Sequence, residues 1–271
     1  MFNQKPPDLS ERRGVVKDRI PEILVYMQES VTQDITVEET ANRFGYSKYH
    51  FSREFKRLTG FSAADYMSSL KVELAKQALL RNEQSVTNSG FDAGYSSVGT
   101  FSTTFTKKTG LSPREYKQQV EALYSVAKKC EETPTTVVGH KHPLASETSR
   151  CFISVHYPEG YQAGITFVGL FKSPIPNHRP VAGVALTKKN THLFEHIPNG
   201  TFYLLACFIE RTFNPLRYFV LDDCLRGRVQ RRIHFPQDHD QTFYIPLRVA
   251  LPEDPPIVVN VLKLLADSLK T

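Results

Sequence analysis

The sequence predicts a multi-domain α plus β protein, with an all-α double helix-turn-helix domain followed by an antiparallel β-sandwich domain that ends in a closing helix. A motif within the first 120 residues occurs twice, about 50 residues apart. Apolar residues in that half recur at helical spacing, whereas beyond residue 134 they form short runs separated by Pro, Gly and Asn. A length of 271 residues suffices for two domains, which we place at 14–120 and 135–271 with a linker at 121–134.

Composition predicts a folded, cytoplasmic protein. Hydrophobic residues make up 40% of the chain, and the net charge of +6 favours a polyanionic partner. The N-terminus is polar and contains prolines, so we expect no signal peptide, and no apolar run approaches the roughly 20 residues of a membrane span. The cysteines form no C-x-x-C pair, which predicts free buried thiols in a reducing compartment: Cys130, Cys151, Cys207 and Cys224.

The first copy of the motif reads as helix, turn, helix. Thr36 and Glu39 form a capping-box pattern that opens a helix with Val37, Thr40, Ala41 and Phe44 on its buried face. Gly45 supplies the positive φ of a sharp turn. Ser47 then caps a second helix, which carries Phe51, Phe55 and Leu58 inward and ends at Gly60.

A long helix over 62–81 joins the two copies, and the second copy repeats the first. The residues that recur 50 positions later are Phe101, Phe105, Gly110, Ser112 and Tyr116, matching Phe51, Phe55, Gly60, Ser62 and Tyr66. Gly45-Tyr46-Ser47 recurs only 49 positions later, at Gly94-Tyr95-Ser96, so the second turn has one additional residue. We place the start of its second helix at Ser96 and a further helix start at Ser112, with Pro113 in the first helical position.

The outward side of the helix that follows Ser47 is rich in cations and hydrogen-bonding groups. It carries one acid, Glu54, together with Lys48, Tyr49, His50, Ser52, Arg53, Lys56 and Arg57. Cationic donors with planar and hydroxyl side chains are what reading of a DNA major groove requires. The alternative is an ordinary solvated helix face, and the duplicated motif around it favours the DNA interpretation.

At these residues the sequence resembles the AraC/XylS family of bacterial transcription regulators, over about residues 14–120. The resemblance rests on Ala41, Phe44-Gly45-Tyr46-Ser47, Phe51-Ser52-Arg53, Phe55-Lys56 and Gly60, and on Gly94-Tyr95-Ser96-Ser97, Thr100-Phe101-Ser102, Phe105, Gly110-Leu111-Ser112-Pro113 and Tyr116. It implies about seven helices, with two recognition helices that enter successive major grooves of one duplex. It also implies double-stranded DNA and RNA polymerase as partners. The absence of a catalytic motif from the sequence predicts no enzymatic activity.

The resemblance further implies DNA contacts, position by position. Base contacts would come from Tyr49, Ser52, Arg53, Val98, Gly99, Thr100 and Thr103. Phosphate contacts would come from Ser47, Lys48, Lys56, Arg57, Ser96, Ser97 and Lys107. Thr103 stands where many members have arginine, and Ser89-Gly90 stand where the family has an apolar residue and alanine. A helix-interior glycine costs about 1 kcal/mol relative to alanine. We therefore expect the first unit to supply most of the base discrimination.

The second half is predicted to contain seven short strands, at 151–156, 164–171, 181–186, 191–197, 201–209, 228–235 and 241–251. Strands at this spacing favour an antiparallel sandwich. Residues 194–206 resemble the final hairpin of carboxypeptidase-regulatory-like or transthyretin-like sandwiches, which implies a fold but not a function. The closing helix is predicted from one apolar face: Val258, Val261, Leu262, Leu265 and Leu269.

The role of this second half stays open between two hypotheses, a sensor of a small molecule or partner and a ligand-free module for dimerisation or docking. The oligomeric state is open as well. The spacing of the histidines and the lack of companion carboxylates argue against a metal site at His140, His142, His156, His178 and His192. No cofactor or catalytic motif is present, and the cluster Arg226, Gly227, Arg228, Arg231 and Arg232 could face solvent, DNA or an acidic partner.

Overall fold

The computed structural model describes residues 9–80, 85–133, 135–138, 148–161, 163–177 and 179–269. The helices are α1 Leu9–Glu29, α2 Val37–Arg43, α3 Lys48–Thr59, α4 Ala63–Leu80, α5 Val86–Asp92, α6 Val98–Thr109, α7 Pro113–Gln118, α8 Val120–Glu132 and α9 Val261–Ser268. The strands are β1 Thr135–Val137, β2 Ser149–His156, β3 Gly164–Phe171, β4 Ala182–Leu186, β5 Thr191–Ile197, β6 Gly200–Glu210, β7 Leu225–Arg228, β8 Ile233–Phe235 and β9 Thr242–Arg248.

Local signals place the ends of the helices in the first half. The capping box of Thr36 and Glu39 is formed, and Gly45 has a φ of +77° in the turn before α3. Ser47 caps α3 and Gly60 ends it in the left-handed conformation, as predicted. The start of α6 was wrongly placed: its cap is Ser97, not Ser96, because the additional residue of the second copy lies in the turn before the cap.

The segment predicted as a linker is largely helical. Helix α8 buries Leu123, Ala127 and Cys130 on one side, and its Tyr124 ring meets the Tyr218 ring with centroids 5.6 Å apart. Proline 134, where we expected the linker to end, lies outside the described residues. The division into domains at these positions stays a prediction.

The strands form one curled sheet in the order β1-β4-β3-β6-β7-β9-β2-β5, with β8 paired to the start of β6. The predicted antiparallel sandwich is not confirmed, because the strands hydrogen-bond into a half-barrel and not into two facing sheets. One pair, β2 with β9, is parallel. The predicted hairpin over 194–206 is also wrong: β5 pairs with β2, whereas β6 pairs with β3, β7 and β8.

The alternation of side chains along the strands produces two cores. The inner face of the curl holds one apolar core, which includes Ile153, Leu170, Phe202 and Ile245. The outer face packs against helices, and its Phe167 and Cys207 belong to the same core as the helical half. The sheet and the helices therefore share a continuous apolar interface. All four cysteines are free and buried, as predicted.

The closing helix is confirmed as α9, which buries Val261, Leu262 and Leu265. Strand β1 was missed, since three residues are too few for a periodic signal. Of the helices in the described ranges, none is both long and apolar enough to cross a membrane. Within the same ranges no cluster of three His, Cys, Asp or Glu side chains could hold a metal ion, and His140, His142 and His178 lie outside them.

Candidate nucleic-acid interface

The first unit holds α3 on a buried aromatic scaffold. Phe51 and Phe55 are fully buried, with ring centroids 5.4 Å apart. Phe55 also meets Phe61 and Tyr66 at 5.8 Å and 6.4 Å. Burial raises the pKa of Tyr66 to about 12, and its hydroxyl accepts a hydrogen bond from Gln28. One side of α3 is thus fixed by packing, which leaves the opposite side for solvent or a ligand.

The second unit repeats this arrangement around α6. Phe101 and Phe105 are fully buried and 5.6 Å apart, and Phe105 meets Tyr116 at 5.3 Å in an edge-to-face contact. Tyr95 contacts Phe101 at 5.2 Å, and burial raises its pKa well above the ordinary range. The sequence repeat is therefore a repeat of the packing, and both helices are held by matching rings.

Helix α4 connects the two units through polar contacts that the sequence did not reveal. Lys108 of α6 is buried and donates to Asp65 Oδ1 at 2.7 Å and to Ser69 Oγ at 2.9 Å, both on α4. Lys71 of α4 donates to the carbonyl of Gly94 at 2.7 Å and pairs with Asp34. These bonds tie the turns and helices of both units to α4 and so restrict how the two units can move relative to each other.

The outward side of α3 is accessible. Tyr49 is 76% exposed, Ser52 is half-buried, and the remaining predicted contacts are exposed: Ser47, Lys48, Arg53, Lys56 and Arg57. Glu54 was wrongly placed on this side, because its side chain is only 2% exposed. It bonds to Arg57 at 2.9 Å and lies 3.5 Å from Arg53, which holds both guanidinium groups along the helix.

The outward side of α6 is accessible too, but its chemistry differs. Exposed side chains or backbone include Ser96, Ser97, Val98, Gly99, Thr100, Thr103 and Lys107. Within α6 the two basic residues are Lys107, which is exposed, and Lys108, which is buried. The Ser97 hydroxyl donates to Thr100 Oγ1 at 2.9 Å, so both hydroxyls are partly occupied by each other. The surface of α6 is therefore mostly hydroxyl and methyl groups, with one free cation among its own described side chains.

The two recognition-type helices also differ at their C-terminal ends. A Cβ added at Gly60 would lie 3.2 Å from Pro174 and 3.3 Å from the Tyr203 hydroxyl, so the end of α3 contacts the β half. A Cβ at Gly110, the matching residue of α6, would meet no described atom within 4 Å. The outward side of α3 is exposed, whereas its last turn packs against the β half.

Comparisons with known proteins find one matching family model and several similar proteins. A model of a helix-turn-helix domain family matches residues 40–119. The chain is similar to the bifunctional transcriptional activator/DNA repair enzyme AdaA of Bacillus subtilis, with 28% identity over 125 residues, 45% of this chain and 56% of AdaA. It is similar to the MmsAB operon regulatory protein of Pseudomonas aeruginosa, with 37% identity over 95 residues, 35% of this chain and 31% of that protein. It is also similar to the regulatory protein SoxS of Escherichia coli, with 27% identity over 101 residues, 37% of this chain and 94% of SoxS.

The chain thus spans about half of AdaA and about a third of the MmsAB regulator. Among solved structures, it is similar to the C-terminal domain of AraT, a response regulator from Geobacillus stearothermophilus. That match has 28% identity and a TM-score of 0.36, and it covers 37% of this chain and 84% of that chain. The family model places a helix-turn-helix domain on the segment that contains both α3 and α6.

Proposed function

We propose that the chain is a sequence-specific DNA-binding transcription regulator of the AraC/XylS type. The observation that carries this proposal is the pair of capped helices, α3 and α6, each held by buried phenylalanines with its polar side exposed. The match of residues 40–119 to a helix-turn-helix domain supports it. A helix presented in this way can enter a major groove, and two of them on one chain can read an asymmetric site.

In this proposal the two units divide the work unequally. Helix α3 discriminates bases through Tyr49, Ser52 and Arg53, while Lys48, Lys56 and Arg57 meet phosphates. Arginine can bond guanine through two acceptors, which makes it the strongest reader on this surface. Helix α6 contributes Val98, Thr100 and Thr103, whose methyl and hydroxyl groups suit a thymine methyl or the shape of the groove. Lys107 and the serines at 96 and 97 meet phosphate.

The proposal extends to the cellular role. AdaA is described as a transcriptional activator, and we extend activation, with RNA polymerase as partner, to this chain. The β half would then control DNA occupancy or activity in a cytoplasmic regulator. A domain can do so only if its ligand or partner binds two conformations of the regulator unequally.

Selection of binding sites from random duplex DNA by the full chain tests the central claim. We expect enrichment of one motif with two half-sites about one helical turn apart, because two joined helices read adjacent grooves. Affinity for the selected duplex should fall steeply with salt, since lysines and arginines displace phosphate counterions. A library that stays unenriched, with salt-dependent binding that is equal for all sequences, would contradict the proposal.

A further inference from the structure

A cavity of about 400 Å³ lies between the last turn of α3 and the outer face of the sheet. Arg57 and Gly60 border it from the helical half, and Pro174 and Pro176 border it from the segment that follows β3. Its size is that of sites for small organic ligands, which are mostly apolar clefts with a few convergent polar groups. The cavity therefore lies between the first helix-turn-helix unit and the β half.

The floor of the cavity is the outer face of neighbouring strands. Phe167 of β3 and Leu205 of β6 present apolar side chains there, and Tyr203 adds a ring with a hydroxyl. Leu205 is the register partner of Arg228 on β7, so their side chains stand next to each other on the same face. The guanidinium of Arg232 lies over the Tyr203 ring, 5.5 Å from its centroid. Apolar surface and cationic groups therefore adjoin along one wall.

Among the described side chains that line the cavity, arginines outnumber acids. The one acid in its lining, Asp254, is occupied by Arg248 through two bonds of 2.6 Å and 2.8 Å. Arg226 donates to the carbonyls of Pro255 and Leu221 at 2.6 Å and 3.1 Å. In the described ranges, neither Arg228 nor Arg232 forms an ion pair with a carboxylate. Two cations at one end of an apolar cleft favour an anionic group there.

We propose that this cavity binds a small organic anion with an apolar body, whose acidic group pairs with Arg228 and Arg232 while the body rests on Leu205 and Phe167. The guanidinium fork can bond both oxygens of a carboxylate, or of another oxyanion, at once. The existence of this site does not depend on the proposed DNA function. Its consequence for regulation does rest on that function.

A ligand in this cavity would contact the end of α3, and this contact is how it would affect DNA binding. Gly60 ends α3 against Pro174 and Tyr203, so the cavity shares a wall with the base of the first recognition helix. Arg57, in the last turn of α3, borders the same space and is held by Glu54 at 2.9 Å. A ligand in the cavity changes DNA affinity only if it binds one position of α3 more tightly than another, and the two binding free energies are then coupled reciprocally.

A pair of fluorescent probes tests the site in the full chain. 1-Anilinonaphthalene-8-sulfonate carries an apolar body and an anionic group, and N-phenyl-1-naphthylamine carries the same body without charge. We expect one binding site for each. The double variant Arg228→Gln/Arg232→Gln should weaken the sulfonate at least tenfold and the neutral probe less than threefold, since only the former uses the guanidinium groups.

Two further variants complete the design. Leu205→Trp should weaken both probes, because the indole occupies the floor of the cavity. Lys189→Gln removes one positive charge from an exposed turn outside the cavity and should change neither affinity. Equal loss of both probes in the arginine variant, or no loss in that variant, would overturn the proposal. The arginine side chains are not part of the core, so that variant stays informative if Leu205→Trp fails to fold.

A separate measurement tests the proposed coupling between the cavity and DNA binding. With the duplex recovered by selection, saturating sulfonate probe should change the affinity of the wild type for DNA by threefold or more, in either direction. The same addition should leave the affinity of Arg228→Gln/Arg232→Gln unchanged. If the probes bind as expected but do not change DNA affinity, the anion site is supported and its coupling to DNA binding is contradicted. If no duplex is selected at all, the proposed function fails while the probe result is unaffected.

Discussion

Gly90 of α5 lies against the ring of Phe101 in α6, so closely that a Cβ on Gly90 would stand 2.6 Å from the ring atom Cδ1 and 2.9 Å from Cγ. Phe101 is fully buried and cannot move aside without displacing Tyr95 or Phe105. From the sequence, a glycine inside this helix is expected to cost about 1 kcal/mol of stability relative to alanine. The packing reverses that expectation, because only a residue without a side chain lets α5 and α6 approach this closely.

Gly90→Ala should therefore lower the free energy of unfolding by about 1–3 kcal/mol, through overpacking of a filled core. Gly99→Ala is the matched control, since Gly99 is also helical and a Cβ there would meet no described atom within 4 Å. It should raise the free energy of unfolding by about 0.5–1 kcal/mol. Urea denaturation measures both, and a stabilised Gly90→Ala would contradict the assigned contact.

Adjacent lysines of α6 should give opposite results. Lys108→Met removes the buried bonds to Asp65 and Ser69 and should lower the free energy of unfolding by about 1–3 kcal/mol. Lys107→Met, on the exposed side, should change that quantity by less than about 0.5 kcal/mol. DNA binding should show the opposite order. Only Lys107→Met should reduce the slope of log affinity against log salt concentration, by about 1, because only Lys107 is proposed to contact a phosphate. An equal slope in both variants would mean that Lys107 does not contact DNA.

Arg53→Ala should weaken binding to the selected duplex by about 1–3 kcal/mol and relax the base preference at one position. Thr103→Ala should cost clearly less, because a hydroxyl and a methyl group carry less discrimination than a guanidinium fork. Site selection repeated with each variant measures the preference directly. Equal loss of specificity in the two variants would show that the units contribute equally, against the proposed asymmetry.

The ion pair beside the cavity should make stability depend on pH. Burial alone would raise the pKa of Asp254, but hydrogen bonds from Arg248 and from the backbone N–H of Leu251 outweigh it and hold the pKa below its ordinary value. The stabilisation is then complete above the unfolded pKa of about 3.9 and is lost as pH falls through the lower folded value. Asp254→Asn should cost about 1–3 kcal/mol at pH 7 and progressively less below pH of about 4.

The control for that measurement is Glu253→Gln, which removes an exposed neighbouring charge. It should shift the free energy of unfolding by less than about 0.5 kcal/mol at neutral pH. Urea denaturation between pH 3 and 7 follows both variants. A cost for Asp254→Asn that stays constant down to pH 3 would mean that the carboxylate is not responsible for the stabilisation.

The helical half could be predicted in detail because its signals are local. Thr36 with Glu39, Ser47, Gly60 and the repeated phenylalanines each act within a few residues, so spacing alone gives helix ends and buried faces. The exposed sides of α3 and α6 follow from the same periodicity. Two predictions failed there. Ser96 was taken for the cap of α6 in place of Ser97, and Glu54 was assigned to solvent although Arg57 and Arg53 compensate its burial.

The strands were located by the same kind of local pattern, but their partners were not. A run such as 191–197 shows where a strand lies and says nothing about which strand it hydrogen-bonds. The link from β5 to β6 looked like a hairpin, yet β5 lies at the edge beside β2 while β6 occupies the middle of the sheet. The arginines of β7 and the following turn were visible as a cluster, and only the fold places them beside Leu205.

By itself, therefore, the sequence determined most of the helices and caps, the repeated aromatic scaffold and the positions of most strands, because these depend on interactions between near neighbours in the chain. Tertiary structure decided the rest. The parallel pairing of Phe152 with Thr242, the burial of Lys108 against Asp65 and the cavity between α3 and the sheet each join residues that are far apart in sequence. Such contacts are selected by the packing of the whole chain, in which many weak preferences compete, and no local pattern encodes the outcome.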